Sequence, residues 1–183
     1  MDFFDTERAR HSYRGTYESA PIPRVHLEQI MQAGLDAPSG CNKQTVSLIG
    51  VDDPALLQRL LGVMNPPTCA TVPAMICVLS KKRIAYRDGK GVDRCFAVQD
   101  YSAAIENMLL AITALGYASC WIEGHITDAD EQGKQMAAML HVPAEYDLIC
   151  VLPVGVPAEA PKLPRKREFA QRAWFNGFPE DLT

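Results

Sequence analysis

Between about residues 95 and 115 the chain turns helical and stays apolar on almost every face, with Ala103, Ala104, Ile105, Met108, Leu109, Ile112 and Leu115 spread around the turns. A helix with one apolar stripe rests on a surface. One that is apolar nearly all round must be covered on most sides, at the centre of a fold or against a second subunit. The remaining sequence therefore has to supply elements that surround this rod. A length of 183 residues is enough for one domain with a substantial core, and we expect residues 1–183 to form one, with an arm from about residue 160 onward.

The covering elements can be read in order. Residues 2–9 suggest a short helix carrying Phe3 and Phe4. Pro23 suits a first helical turn, and Leu27, Ile30, Met31 and Gly34 follow at three-and-four spacing up to about Asp36. Residues 45–51 read as a strand. Asp52-Asp53-Pro54 then starts a helix through about Met64 with a face of Leu56, Leu57, Leu60 and Leu61, stopped by Asn65-Pro66-Pro67-Thr68. Residues 74–79 form a continuous apolar run, as in a strand covered on both faces. Residues 81–94 are charged and read as a solvated loop or a lid over a pocket; Gly89 and Gly91 lack the third glycine of a dinucleotide fingerprint. After Gly116, Asp128 and Glu131 resemble a capping box ahead of a helix buried through Met136, Met139 and Leu140. Residues 147–154 make a last apolar strand. This order fits an α+β fold, a sheet wrapped by helices.

Charge and composition narrow the function classes. A net charge of -4 argues against nucleic-acid binding, which needs a basic excess. No apolar run reaches membrane-spanning length, and the acidic start Met-Asp-Phe-Phe-Asp is unlike a signal peptide; a cytoplasmic location is expected. The six cysteines contain no C-x-x-C pair and no His at finger-like spacing, so they read as reduced packing residues, and no metal site is expected.

Two segments offer chemistry. In an extended Arg10-His11-Ser12-Tyr13-Arg14, alternate side chains share a face, so Arg10, Ser12 and Arg14 present two guanidinium forks and a hydroxyl. That set suits a phosphate, although it also suits a solvated surface. Residues 37–44, Ala-Pro-Ser-Gly-Cys-Asn-Lys-Gln, place short polar groups on a loop; Gly40 would free a turn, and the polar groups would bond a cofactor's hydroxyls or ring edge, or merely their own backbone. The tail joins a basic, proline-spaced stretch at residues 161–167 to Trp174, Phe175 and Phe178. Such large apolar groups are costly to leave in water.

Taken in order, residues 10–14, 37–44, 100–121 (with Leu-Gly-Tyr-Ala-Ser-Cys-Trp at its end), Ile122-Glu123-Gly124, Leu152-Pro-Val-Gly155 and the 161–167 tail resemble the FMN-dependent nitroreductase family in its short form. The resemblance implies a central mixed or antiparallel sheet wrapped by helices, a long central helix at a dimer interface, and a C-terminal arm laid on the partner. It implies a homodimer binding FMN between subunits, with NADH or NADPH as a transient reductant and a nitroaromatic, quinone or similar small acceptor in ping-pong turnover. Carried over by position, Arg10, His11, Ser12, Arg14, Arg165 and Arg167 would hold the phosphate end. Pro38, Ser39, Gly40, Asn42 and Gln44 would come from the other subunit, and Ile122, Glu123 and Gly124 would pass beside the ring. Hydride would be carried by the flavin N5, so no catalytic side chain is assigned; Tyr86, His125 and Glu123 are open as acid–base groups or as structural ones. Thr45-Val46 stands where the family commonly has Pro-Trp. Alternatives are a flavin carrier or redox sensor, another flavin reaction such as dehalogenation, flavin fragmentation or ene reduction, and a cofactor-free dimer.

Overall fold

A computed structural model describes residues 1–64, 69–127, 131–160 and 162–179, with nothing described of the side chains of His125 and Thr127. Three antiparallel strands form the sheet, in the order β1 (Val46–Val51), β2 (Ala74–Ser80), β5 (Asp147–Val154). The central strand β2 is buried at every residue, as its unbroken apolar run requires. Its side chains alternate between two cores. Met75, Cys77 and Leu79 meet α3 (Pro54–Met64) and α6 (Gln132–Met139) on one face. Ala74, Ile76 and Val78 meet α2 (Arg24–Leu35) and α4 (Ala97–Ala114) on the other. On β5 the register shifts where Val78 faces Cys150 and Leu79 faces Leu148, which leaves Ile149 as the extra residue of a bulge.

The long apolar helix is α4. It buries Ala104, Ile105, Met108, Leu109 and Ile112 against the sheet and α2. The approach to α2 is close: a Cβ placed on Gly34 would stand 2.7 Å from Met108 Cγ and 3.3 Å from the Ala104 carbonyl. Gly116 ends α4 at φ 84, and the bonds from Gly116 N–H to Thr113 O and from Tyr117 N–H to Ile112 O complete a Schellman close. The chain then runs along the free side of β5, touching it through Ala118–Gly155 and Ile122–Val151 bridges, and reaches the short α5 (Gly124–Thr127).

Two local expectations are corrected. Glu131 is not the third residue of a capped helix but the residue preceding α6, in the left-handed region at φ 58 and without a side-chain cap bond; Asp128, like residues 65–68, lies outside the described residues. Gly40 does not supply the turn's unusual backbone. The left-handed residues there are Cys41, Asn42 and Gln44, at φ 51, 52 and 48. Residues 81–94 contain a small hairpin, β3 (Tyr86–Arg87) with β4 (Asp93–Arg94), tied by Arg87–Asp93 and Arg94–Asp88 ion pairs. At the N-terminus α1 (Phe3–Ala9) is capped by Asp2, whose carboxylate accepts from Asp5 N–H, and Phe3 and Phe4 are exposed.

Candidate active site

Arg10 closes α1 and the following residues run extended beside the strip after α4. Ser12 bridges Ser119 in parallel, and Tyr13 N–H donates to the Ser119 carbonyl at 2.8 Å. Alternation then decides which side chains face out. Tyr13 is buried against Tyr17 with ring centres 5.1 Å apart, whereas Ser12 and Arg14 are exposed. Arg10 is turned toward α4, its Nε 3.1 Å from Glu106 Oε1. His11, Ser12, Tyr13, Arg14 and Gly15 line a cleft of about 330 Å³ completed by Glu159, Ala160 and Lys162.

Two polar atoms at this place are unspent. His11 Nδ1 lies 2.7 Å from the Ala9 carbonyl, which can only accept, so Nδ1 carries the proton of that bond. His11 Nε2 is buried with no partner among the described residues, as is the hydroxyl of Ser119 beside Ser12. Buried polar groups are ordinarily hydrogen-bonded; the Ser119 hydroxyl can donate to an acceptor, whereas His11 Nε2, with the proton on Nδ1, accepts.

From Ser119 the strip continues three residues, about 10 Å of extended chain, to Ile122. The Ile122 N–H and carbonyl are both used by Val151, at 3.1 and 3.0 Å. The Glu123 carboxylate accepts from the Tyr101 hydroxyl at 3.2 Å and from Trp121 Nε1 at 2.8 Å. Burial and the Glu123 charge raise the Tyr101 hydroxyl above its ordinary value, and burial with the same carboxylate raises the Cys150 thiol; both stay protonated at neutral pH. Glu123 is thus held by two aromatic donors. At Gly124 an added Cβ would meet nothing within 4 Å among the described residues.

The polar loop sits elsewhere in the chain. Pro38, Ser39 and Gln44 line a hollow of about 210 Å³ with Gly34, Thr45, Asp100 and Ala104. Gln44 Nε2 donates to Asn42 Oδ1 at 3.2 Å, and Gln44 N–H to Ser39 Oγ at 3.0 Å. Gly40 N–H and Thr45 Oγ1 both donate to Asp100, each at 2.7 Å. Arg165 and Arg167 line a third recess with Lys166, Glu168 and Gln171. Within one chain, then, residues 10–14 lie beside the strip that leads to 122–124, while Pro38, Ser39 and Gln44 line one separate hollow and the two tail arginines another. Tyr86 stacks at an angle on Phe96, ring centres 6.1 Å apart. Sequence reasoning missed Lys162, Glu106, Asp100 and the donors Tyr101 and Trp121. Asp100 carried a signal, being an acid in the first turn of a predominantly apolar helix.

Among the described residues no group of three or more His, Cys, Asp or Glu side chains could hold a metal, and no helix is long and apolar enough to cross a membrane.

The Nitroreductase family profile matches residues 8–66 and 62–156. A protein of Archaeoglobus fulgidus, provisionally named NADH dehydrogenase/NAD(P)H nitroreductase, is 30% identical over 155 residues, 82% of each chain. A nitroreductase of Bacteroides fragilis solved with bound FMN is 27% identical with a TM-score of 0.70, covering 98% of this chain and all of that one (100%). An FMN-dependent nitroreductase of Clostridium difficile shares the fold at a TM-score of 0.76 and 24% identity, over 96% of this chain and 99% of that one.

Proposed function

Because the chain belongs to the Nitroreductase family, we propose that it is an FMN-dependent oxidoreductase that takes reducing equivalents from NADH or NADPH and passes them to a nitroaromatic, quinone or similar small acceptor. The observation that carries this is the cleft lined by residues 11–15, Glu159, Ala160 and Lys162, where Ser12 and Arg14 are exposed and the Ser119 hydroxyl, on the residue bridged to Ser12, is buried with no partner among the described residues. The Ser12 hydroxyl, Arg14 and Lys162 are donors that fit a phosphate dianion. Guanidinium forks match its oxygens, and charge-assisted bonds are the strong ones.

Arg10, His11, Ser12 and Arg14 would hold the phosphate end, with Lys162 beside them and Arg165 and Arg167 drawn in from the tail. The ring would lie along residues 122–124, where the exposed Gly124 presents no side chain. Bound there, FMN would supply the two-electron chemistry, while the protein supplies position and field. Tyr101 and Trp121 fix the Glu123 carboxylate and so define one wall of the ring's bed. Pro38, Ser39 and Gln44 line a hollow of their own in the single chain, which supports their serving, with Gly40 and Asn42 of the same loop, the site of a second copy. The exposed Phe169, Phe175 and Phe178 of the tail, at 68%, 82% and 60% of their surface, support an arm that packs on that copy.

Anaerobic addition of NADH or NADPH to the FMN-loaded protein should bleach the visible flavin band, and a nitroaromatic or quinone should restore it. A band that persists under excess reduced nicotinamide contradicts turnover and leaves a carrier or sensor. A colourless protein that takes up no FMN overturns the cofactor assignment.

A further inference from the structure

Residues 37–45 adopt a shape that local preference does not supply. Three residues with side chains, Cys41, Asn42 and Gln44, sit in the left-handed region. Such a backbone persists where its surroundings over-determine it. Several bonds stay inside the loop: Asn42 N–H to Ser39 O at 3.0 Å, Lys43 N–H to Gly40 O at 3.2 Å, and Gln44 N–H to Ser39 Oγ at 3.0 Å. These shape the loop without attaching it to anything.

Asp100 attaches it. One carboxylate, on a residue only 3% exposed, accepts the Gly40 N–H through Oδ1 and the Thr45 hydroxyl through Oδ2, both at 2.7 Å. It therefore grips the loop on either side of the three left-handed residues. Its own place in the first turn of α4 is favourable for a negative charge, since the helix N-terminus carries partial positive charge. The same helix bears Tyr101, which holds Glu123, and Glu106, which holds Arg10. Three segments far apart in sequence are thus registered on one rod.

We propose that Asp100 is a positioning residue that sets the loop of residues 38–44 in its binding shape before any cofactor arrives; the consequence for cofactor affinity rests on the FMN assignment above. Asp100→Ala should weaken FMN binding by about 10- to 100-fold, the scale of misplacing a positioning group by about 1 Å. Asp100→Asn keeps an acceptor for Gly40 N–H and a polar contact for Thr45, and should stay within about threefold of wild type on the same scale. Amide hydrogen exchange at Gly40, measured on the full-length chain without added FMN, gives a readout independent of the cofactor. It should quicken at least tenfold (~10-fold) in Asp100→Ala and return toward wild type in Asp100→Asn.

If FMN affinity in folded Asp100→Ala stays within about twofold of a binding wild type, the positioning role is overturned and the FMN assignment survives. If wild type binds no FMN, that assignment fails, and Gly40 exchange decides the anchoring: unchanged exchange in Asp100→Ala overturns it, faster exchange upholds it. Should Asp100→Ala not fold, Thr45→Val removes one of the two bonds, and the same two readings of affinity and Gly40 exchange apply to it, with no change in either counting against the proposal.

Discussion

Replacing Gly40 by alanine tests the seat of the polar loop through packing rather than charge. A Cβ built on Gly40 would lie 2.3 Å from Phe96 Cδ2 and 2.7 Å from both Phe96 Cβ and Cγ. Comfortable carbon contacts are about 3.5–4.0 Å, so the loop and the start of α4 must part by roughly 1 Å. The ring edge could swing away, but Phe96 Cβ is fixed to the backbone that begins α4. Overpacking of this kind costs about 1–3 kcal/mol. Parting also stretches the bond from Gly40 N–H to the buried Asp100, a bond to a charged group worth about 1.5–3 kcal/mol when lost outright. With part of that bond kept, we expect a loss of about 3 kcal/mol, a fall in Tm of roughly 6–12 °C for a chain of this size. Gly62→Ala is the control. It lies on the exposed side of α3, where an added Cβ meets nothing within 4 Å among the described residues, and should stabilise by about 0.5–1 kcal/mol. Thermal unfolding by circular dichroism reads both. A Gly40→Ala protein melting with the wild type would refute the tight seat of the loop on Phe96.

Gly133→Ala should be at least as damaging, because its Cβ would stand 2.7 Å from the Ile126 carbonyl oxygen and 2.8 Å from that of Leu148; backbone cannot rotate aside, and a Tm equal to wild type would contradict the packing of α6 on β5. Burial pushes the Cys69 thiol up to about 11 and the Cys77 thiol up to about 12 from an ordinary 9.0. The folded state therefore holds these protons while the unfolded chain releases them. Stability is intact below the ordinary value and falls as pH rises from there toward 11 and 12, by about 1.4 kcal/mol per pH unit for each thiol. Denaturant midpoints across that range check this, and a flat profile contradicts it. Removing residues 162–183 should release both FMN and the partner subunit in light scattering with absorbance detection; a yellow dimer without the tail contradicts the arm's role.

Much of the scaffold was legible because it rests on periodicity. The three-and-four spacing of Leu27 and Ile30, the leucines of α3, the apolar run of β2 and the all-round apolar α4 each state their own burial. What was not legible depends on contacts between distant residues. Gly40 looks like a turn glycine in sequence, and its reason is Phe96, which no local pattern connects to it. Lys162 was one cation in a basic tail until the fold laid it beside Ser12 and Arg14. The strip from Ala118 to Ile122 meets β5 by single bridges rather than a ladder, so it carries no strand-length alternation to read. The family resemblance supplied a function that spacing alone did not, and it gave no hint of what anchors the polar loop.

The central claim is that Arg14, which lines the cleft of residues 11–15, and Arg10, which stands against Glu106 on α4 in the free chain, both reach a bound phosphate, and paired titrations of the flavin-free protein with FMN and with riboflavin, which lacks the phosphate, test it most directly. Each charged contact is worth about 1.5–3 kcal/mol, so FMN should bind at least 10-fold (~10-fold) more tightly than riboflavin, and Arg10→Ala or Arg14→Ala should each weaken FMN by about 10- to 150-fold while leaving riboflavin unmoved. Equal affinity for the two flavins in wild type, or FMN affinity untouched in both variants, would contradict it.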